Sequence, residues 1–357
     1  YGRRAIFMQL PRGRPRMRAA IFQGPGNVRV EQVPDAALEL DTDALVRVTA
    51  ASIGGSDLWA YRGYGQRQPG ARIGHEFVGL VEDVGAEVRT VRRGDLVLAP
   101  FSWSCGVCEF CLRGLTSSCV DGGFFSEPGH DGGQGEAVRV PHADGTLVVV
   151  PRSLRGAETR VLPLCDILST GHHAAVSAQV NYRSTVAVVG DGAVGLCAVL
   201  AARRLGARRI LVVGHHADRL ALAQEFGATD IVEGRGQDAV EDVMARTGGV
   251  DAVLECVGAQ GAWDTAIAIA KDGATIGYVG VPHLVEGVDV SLLFGRNLAI
   301  RGGMCPARAY IPGLLADVLD GTLDASPIFD LTVSLDELTD GYAMMDDRLA
   351  LKAYVAI

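Results

Sequence analysis

The spacing of apolar positions changes along the chain. From Met17 to about Val150, apolar residues alternate with polar ones in short runs that Gly, Pro and Asp interrupt. An alternation with a period of two predicts half-buried β-strands, so we expect a mostly β region here. The predicted strands are Met17–Phe22, Val28–Val33, Asp43–Ala50, Phe77–Val84, Asp95–Leu98, Ala137–Pro141 and Thr146–Val150.

The middle of the chain has longer helical stretches that alternate with continuous apolar runs. Strand and helix in alternation predict a doubly wound α/β domain with a parallel sheet. Its predicted strands are Val186–Val189, Ile210–Val213, Ala252–Leu254 and Thr275–Val279. After about Arg301 the pattern is mixed again, and Leu351–Ile357 is predicted as a returning strand. We therefore predict an α/β protein with a β-rich domain over 17–166 and 301–357, an α/β domain over 167–300, and disordered leader or upstream residues over 1–16.

Composition changes this picture only by excluding some partners. The formal charge of −9 argues against nucleic acid and anionic membranes, and no apolar run approaches the ~20 residues of a membrane helix. Of eight cysteines, four form one dense cluster and the others are scattered, which is not the layout of a disulfide scaffold. We expect a cytoplasmic protein with a small-molecule substrate and no nucleic-acid or membrane partner.

A glycine-rich turn organises the α/β part. The run Thr185–Gly195, TVAVVGDGAVG, joins a short buried strand to a helix through glycines in G-x-G-x-x-G spacing. Such a turn lets the backbone approach a pyrophosphate and places it at a positive helix N-terminus. The sequence therefore predicts a dinucleotide site at Gly190, Gly192, Ala193, Val194 and Gly195.

The end of the second strand of this domain bears on which dinucleotide binds. NAD-specific domains place Asp or Glu there, to bind the ribose hydroxyls. This chain has Gly214, His215 and His216 instead, with Arg219 one turn onward. These residues leave room for a 2′-phosphate and offer donors to it, so we favour NADP(H). The alternative is that the site binds NAD(H) through Asp218 or through backbone groups.

Two further motifs complete a family resemblance. Gly74–Gly79 reads GHEFVG and is followed by Gly85, a cysteine cluster and then the nucleotide turn. With three motifs in this order, the chain from Met17 to its end resembles the zinc-type alcohol dehydrogenases of the medium-chain dehydrogenase/reductase superfamily. The resemblance implies a GroES-like catalytic domain, a Rossmann coenzyme domain, substrate in the cleft between them, and a homodimer or homotetramer.

The cysteine cluster predicts a structural zinc. Its spacing is C-x2-C-x2-C-x7-C. Four thiolates on one loop form a closed tetrahedral site with no position for substrate, as the family's zinc lobe does. The alternative is four free or disulfide-paired thiols. The predicted ligands are Cys105, Cys108, Cys111 and Cys119.

The family's catalytic zinc site is altered in this chain. The resemblance implies three ligands, and Gly54 stands where the first, a cysteine, is expected. His75 and Asp166 match the other two, and Glu76 offers a carboxylate beside them. Cys165 is a weaker substitute, because neighbours on an extended strand point to opposite faces. We predict a weakened site at His75, Glu76 and Asp166, and leave its occupancy open.

Gly54 also leaves the reaction open. Zinc polarises a carbonyl group, so an alcohol dehydrogenase or carbonyl reductase depends on it or on another strong donor. An iminium or a conjugated C=C bond is already activated, which makes a zinc-independent reductase the main alternative. A glycine introduced into an ordinary alcohol dehydrogenase and a non-catalytic nucleotide-binding protein are the remaining ones.

The resemblance also assigns other positions in the cleft. Ser56 matches the hydroxyl that relays a proton with the substrate, unless it only caps a turn, and Asp57 matches the carboxylate that orients the histidine. The predicted catalytic residues are therefore Ser56, Asp57, His75, Glu76 and Asp166. Further coenzyme contacts are predicted at Thr170, Val257, Val279 and Val281. An apolar substrate pocket, with core packing as the alternative, is predicted at Trp59, Phe101, Trp103 and Phe124.

Overall fold

The structure is a computed structural model that describes residues 16–65 and 67–357. The strands before the nucleotide turn are β1 (Arg16–Gly24), β2 (Asn27–Pro34), β3 (Ala44–Ser52), β4 (Ala71–Arg72), β5 (Phe77–Val84), β6 (Leu96–Ala99), β7 (Ser102–Trp103), β8 (Gly123–Phe124), β9 (Ala137–Val140) and β10 (Val148–Val150). Those that follow are β11 (Thr185–Val189), β12 (Arg209–Gly214), β13 (Asp230–Glu233), β14 (Val250–Glu255), β15 (Ala270–Tyr278), β16 (Ala299–Gly302), β17 (Leu331–Ser334) and β18 (Ala353–Ala356).

Helices connect these strands. They are α1 (Asp57–Tyr61), α2 (Glu109–Leu112), α3 (Ala143–Thr146), α4 (Ile167–Ser177), α5 (Ala193–Arg204), α6 (Ala217–Phe226), α7 (Gly236–Thr247), α8 (Gln260–Ile269), α9 (Val290–Gly295), α10 (Ala307–Asp320) and α11 (Leu338–Asp346). Short 3₁₀ turns lie at Thr116–Ser118, Arg152–Leu154, Glu158–Arg160, Leu162–Cys165, Ser326–Ile328 and Leu335–Glu337.

The β-rich part is built around a seven-stranded sheet. Its strand order is β10-β6-β5-β3-β18-β17, and β9 also pairs with β3. The last strand of the chain, β18, lies antiparallel to β3 with Tyr354 opposite Ser52, so the C-terminal segment completes the sheet. In β3, Ala44, Val46 and Val48 point into one core at the expected two-residue period. The first five residues of β5 are all buried, and this strand contributes to a core on each of its faces.

The coenzyme-type part is a six-stranded parallel sheet of order β13-β12-β11-β14-β15-β16. Every residue of β11 is buried, as expected for a central strand covered by helices on both faces. The chain leaves β11 for β12 on one side and β14 lies on the other, so a crevice opens at the carboxyl ends of these strands. Ligands of doubly wound sheets bind in such crevices.

Helix α4 joins the two parts by packing closely on α5. A Cβ atom on Gly171 would lie 2.5 Å from the backbone nitrogen of Ala198, so only glycine permits this approach. Leu164, Leu168 and Leu196 are fully buried around this contact, in a core that also contains residues of β5 and β6. The contact holds the start of α4 beside the nucleotide turn.

The structure confirms the predicted fold class and changes several boundaries. Phe77–Val84 agrees with β5, whereas Thr146 belongs to α3 and the following strand begins only at Val148. Most of the predicted leader lies outside the described residues, but Arg16 begins β1. The domain limits stay a prediction, and β16 extends the parallel sheet to Gly302, past the limit at 300. In the part of the chain that the structure describes, no helix is long and apolar enough to cross a membrane.

Candidate functional site

A cavity of about 570 Å³ lies between the two parts and contains most of the predicted site residues. Ser56, His75 and Asp166 line one end of it, and the nucleotide turn lines the other. Predicted residues that line it are Ser56, Trp59, His75, Phe101, Phe124, Asp166, Thr170, Gly192, Ala193, Val194, Arg219, Val257, Val279 and Val281.

Three chain segments bring the catalytic-type side chains together. Ser56 immediately precedes α1, His75 lies two residues before the start of β5, and Asp166 lies between a 3₁₀ turn and α4. Gly74 sets the direction of His75: its φ is +99°, and a Cβ there would meet the backbone nitrogen of Gln134 at 2.5 Å. The sequence places glycine at this position because no other residue accepts both constraints.

His75 is the centre of this cluster. Its Nε2 atom lies 3.1 Å from Ser56 Oγ and 3.4 Å from Asp166 Oδ2, and its Nδ1 atom lies 3.4 Å from Asp57 Oδ1. Burial lowers the pKa of His75, but the charges and hydrogen bonds of Asp57, Asp166 and Glu76 outweigh it and raise that pKa to about 10. Without a metal, the ring is therefore held as an imidazolium.

Asp57 and Asp166 are held as carboxylates. Burial acts to raise the pKa of Asp57, yet His75 and Arg67 together keep it well below its ordinary value. Arg67 Nη1 lies 3.1 Å from Asp57 Oδ1. The pKa of Asp166 is likewise lowered, because His75, Lys352 and a 2.8 Å hydrogen bond from Thr170 Oγ1 outweigh its burial.

Glu76 is engaged by other side chains. Its Oε1 atom lies 2.6 Å from the ammonium nitrogen of Lys352, and its Oε2 atom accepts a 2.6 Å hydrogen bond from Ser52 Oγ. Lys352 is 1% exposed and also donates to the carbonyl oxygen of Ile53. A buried carboxylate paired in this way is costly to separate from its partner.

This arrangement bears on the catalytic zinc that the sequence suggested. The ligand atoms of His75, Glu76 and Asp166 lie within 4.8 Å of one another, so the fold does bring the three residues together. A catalytic zinc takes three protein ligands and one open position. Only His75 and Asp166 are available here, since Glu76 is paired with Lys352. The residues present do not fit a three-ligand catalytic zinc.

The space around Gly54 is also too small for the cysteine ligand that the family has at this position. A Cβ atom at this position would lie 2.7 Å from His75 Nε2, closer than real Cβ contacts, and 3.1 Å from Glu76 Oε1, which is a tight contact. The φ of Gly54 is not in the left-handed region, so the backbone does not demand glycine. The imidazole ring occupies the space next to residue 54 that a cysteine side chain needs.

The four-cysteine lobe, in contrast, fits a closed zinc site. The Sγ atoms of its cysteines lie within 4.8 Å of one another, and those of Cys108 and Cys119 are 3.9 Å apart. The backbone N–H of Cys105 donates to Cys119 Sγ, and that of Cys108 donates to Cys105 Sγ. Backbone N–H groups also lower the pKa of Cys108 to about 6, which favours the thiolate that zinc requires.

The nucleotide turn has the geometry that its glycines predict. Gly190 has a φ of +111°, and a Cβ on Gly195 would collide with the Gly190 carbonyl oxygen. Gly192 is the N-cap of α5 and lies on the cavity wall. The residues at this end fit the pyrophosphate of a dinucleotide, because Ala193 and Val194 line the cavity and the N–H groups of a helix's first turn have no partner within the helix.

The turn after β12 is bound by a residue of the nucleotide turn that sequence reasoning missed. The carboxylate of Asp191 accepts hydrogen bonds from the backbone N–H groups of His215 and His216, and it lies 3.0 Å from His216 Nδ1. The ring of His216 therefore faces Asp191. His215 and His216 do not line the cavity itself, whereas Arg219 does.

For three side chains the structure favours one of the alternatives that the sequence left open. Trp103 does not line the cavity, because it is buried in the core of the β-rich part, edge-on to Phe125 at 5.5 Å between ring centroids. Ser56 makes no capping hydrogen bond, since its hydroxyl faces His75. Cys165 lies in a 3₁₀ turn rather than a strand, and its thiol donates to the Phe77 carbonyl oxygen.

The site also has members that the sequence did not reveal. Arg67, Phe125 and Lys352 line the cavity and were not predicted. Lys352 reaches the cluster from the end of the chain, 276 residues from Glu76, whereas Arg67 lies 10 residues after its partner Asp57. The one available signal was that a lysine is rare in this arginine-rich chain.

Comparison with known proteins agrees with this geometry. Residues 40–152 match the alcohol dehydrogenase GroES-like domain, and residues 193–320 match the zinc-binding dehydrogenase family. The chain is 38% identical to a probable zinc-binding alcohol dehydrogenase of Mycobacterium tuberculosis, over 92% of this chain and 85% of the relative. It is 33% identical to zinc-type alcohol dehydrogenase B of Aspergillus flavus, over 93% and 79%.

Solved structures show the same fold. The alcohol dehydrogenase TADH from Thermus sp. ATN1 superposes with a TM-score of 0.90 at 33% identity, covering 96% of this chain and all of that one. Family matches to both parts of the chain, relatives across nearly its whole length and a shared fold point to one assignment. The chain belongs to the zinc-type alcohol dehydrogenase family of medium-chain dehydrogenases, and it is an oxidoreductase.

Proposed function

We propose that this enzyme transfers hydride between NADP(H) and an alcohol or carbonyl substrate, with the proton carried by Ser56 and His75 and without a catalytic zinc. The observation that carries the proposal is the 3.1 Å contact between Ser56 Oγ and His75 Nε2 at the wall of the cleft. It places a proton donor, backed by a charged ring, where a substrate oxygen can bind.

The coenzyme end of the cleft supports the binding of a nicotinamide dinucleotide. Gly192 and the N-terminus of α5 offer the anion site for the pyrophosphate, and Val257, Val279 and Val281 form an apolar wall. When bound, the nicotinamide supplies or accepts the hydride. Thr170 lines the cavity at the same level as Asp166 and is fixed there by its hydrogen bond to that carboxylate.

The proton path follows from the contacts of His75. During reduction, Ser56 O–H donates its proton to the substrate oxygen, and His75 Nε2–H donates a proton to Ser56 Oγ. Asp57 and Asp166 stabilise the imidazolium, and Asp57 orients the ring through Nδ1. Oxidation of an alcohol runs the same transfers backwards, so the substrate loses one hydride and one proton.

Ser56→Ala tests this path. We expect kcat for aldehydes and ketones to fall by roughly 10²–10⁴-fold, because a positioned proton donor contributes about that much, while the Kd for NADPH stays unchanged. Ser56→Thr keeps the hydroxyl and is the matched control. NADPH oxidation over a panel of carbonyl substrates measures kcat, and dinucleotide fluorescence measures Kd. A Ser56→Ala enzyme with full activity on ketones would contradict the proposal.

A second candidate function is reduction of an iminium or a conjugated C=C bond. Gly54 and the engagement of Glu76 by Lys352 favour it, since both remove ligands from the metal that a simple carbonyl ordinarily needs. Hydride addition to an iminium carbon gives a neutral amine and needs no proton. If an iminium is the substrate, Ser56→Ala will therefore retain its turnover, which separates the two candidates.

NADP(H) is proposed over NAD(H) because Gly214 and Arg219 replace the acidic residue that binds the ribose in NAD enzymes. A zinc-binding dehydrogenase from Sinorhizobium meliloti, 27% identical over 96% of this chain and all of that one with a TM-score of 0.80, was solved bound to NADP. Saturation with each coenzyme at fixed substrate is the test. A much lower KM for NADH would overturn the choice.

We further propose a homodimer or homotetramer in the cytoplasm. The exposed β16 edge and the exposed side chains of Val290 and Phe294 support association, since large apolar groups at a sheet edge favour pairing. The thiols of the cysteine lobe support a reducing compartment. Sedimentation equilibrium measures the assembly, and a monomer at micromolar concentration would contradict it.

A further inference from the structure

The turns after β12 and β13 lie side by side beyond the carboxyl end of the coenzyme sheet. The two strands are parallel neighbours with Gly214 opposite Glu233, and Gly234 N–H donates to the Gly214 carbonyl oxygen at 2.7 Å. Arg235 follows directly. Its Nε atom lies 3.0 Å from His215 Nδ1, so its guanidinium packs against the histidine that follows β12.

Positive charge is concentrated around His215. Arg219, in the first turn of α6, lines the cavity, and so does Arg348, which approaches from the end of α11. The charges of Arg235 and Arg348 act on His215 from opposite parts of the molecule. Asp218 and Glu233, the carboxylates next to these turns in the chain, are exposed to solvent.

Asp191 also reaches this turn, 3.9 Å from His215 Nδ1, but its carboxylate is engaged mainly by other donors. It is 5% exposed, and its oxygens accept two backbone N–H groups and contact His216 Nδ1. A Cβ atom on Gly214 would lie 2.6 Å from Asp191 Oδ2. With Asp191 present, residue 214 therefore has no room for the acidic side chain that binds ribose hydroxyls in NAD enzymes.

We propose that Asp191 and Arg235 set the coenzyme preference: Arg235, together with Arg219, binds the 2′-phosphate of NADP(H), while Asp191 positions the His215 turn and bars an acidic residue at 214. The inference rests on the proposed NADP(H) preference and identifies residues that decide it. Arginine suits this role because its planar fork of N–H donors matches phosphate oxygens. His216 is a positioning residue, since its ring binds Asp191.

The first experiment uses adenosine 2′,5′-bisphosphate and adenosine 5′-monophosphate as probes, with calorimetry on the full chain. These probes differ by the phosphate in question and need no substrate. We expect Arg235→Leu to weaken the bisphosphate by about 10- to 100-fold and to leave the monophosphate unchanged, because a charge-assisted contact is lost. Arg235→Lys should retain part of the binding. Arg92→Leu, an exposed site on the other part of the molecule, controls for net charge.

The outcomes separate this inference from the proposed function. If the unaltered enzyme binds both probes equally, the NADP(H) preference itself fails. If it prefers the bisphosphate and Arg235→Leu leaves that preference intact, the preference stands and the role of Arg235 is refuted.

A second experiment tests Asp191 through its coupling to residue 214. Gly214→Asp alone should lose affinity for both NADPH and NADH, because the new side chain meets Asp191. Adding Asp191→Ala should restore NADH binding and give an enzyme that favours NADH over NADPH. Thermal melting of each variant checks folding. If Gly214→Asp alone gives an enzyme that favours NADH over NADPH, the steric coupling is refuted.

Discussion

The cysteine lobe and the catalytic end of the cleft both gather side chains that can hold a metal, and they differ in what else binds those side chains. In the lobe, the backbone N–H groups of Cys105 and Cys108 donate to the sulfur atoms of Cys119 and Cys105, and the four sulfur atoms lie together. In the cleft, Lys352 forms an ion pair with Glu76, while Ser56 and Asp57 contact the ring of His75. Internal pairing of Glu76, together with glycine at position 54, therefore leaves the cleft with fewer free metal ligands than the lobe.

The largest effect is expected in the lobe. Cys111→Ser removes one of four thiolates, and we predict that the free energy of unfolding falls by more than about 4 kcal/mol, because structural zinc contributes directly to folding. Chelator should lower the Tm of the unaltered enzyme to about the Tm of Cys111→Ser. Cys256→Ser, outside the lobe, is the matched control. Equal losses for the two variants would show that the lobe holds no stabilising metal.

The next effect comes from Lys352. Lys352→Met leaves Glu76 as a buried carboxylate without its partner, which costs about 3–5 kcal/mol by denaturant unfolding. The same change frees Glu76, so zinc per chain should rise when the metal is supplied. Lys352→Arg keeps the charge and should change neither quantity greatly. A stable Lys352→Met enzyme with an unchanged number of zinc ions per chain would show that the ion pair does not keep Glu76 from binding a metal.

A substitution at residue 54 tests whether the cleft can regain a metal site like that of the lobe. Gly54→Cys supplies a third ligand, and we predict one additional zinc per chain once His75 moves aside. Gly54→Ala introduces the steric contact without a ligand and should cost about 1–3 kcal/mol of stability. If Gly54→Cys takes up no more zinc than Gly54→Ala, the cluster has lost metal binding for reasons other than residue 54.

The last prediction concerns the dependence of stability on pH. The pKa of His75 is raised to about 10 in the folded state from an ordinary 6.5, so its contribution is present below pH 6.5 and is lost as the pH rises through 10. The stability difference between the enzyme and His75→Gln should therefore shrink over that range. A constant difference would indicate that His75 is not held as an imidazolium.

The two regions also differ in how far the sequence predicts them. The cysteine spacing alone predicts a metal lobe because the ligands lie on one short loop. The glycine turn and β5 are predicted for the same reason, since a local pattern determines each. His75 and Asp166 come from distant segments, and only the family resemblance placed them together.

Contacts made across the fold were not predictable. Lys352 pairs with Glu76 because β18 closes the sheet beside β3, and no local pattern indicates that pairing. Trp103 was misassigned because an aromatic residue near a cleft and one in a core look alike in sequence. Asp191 was missed because the G-x-G-x-x-G pattern assigns roles to the glycines and none to the residue between the first two.

The central claim is that this enzyme holds zinc in its cysteine lobe and not at its catalytic cluster. Elemental mass spectrometry on protein purified without chelator or added metal, expressed as zinc per chain, tests it most directly. The account predicts one zinc per chain in the unaltered enzyme, lost in Cys111→Ser and unaffected by His75→Gln. Two zinc ions per chain, one of them lost in His75→Gln, would contradict it.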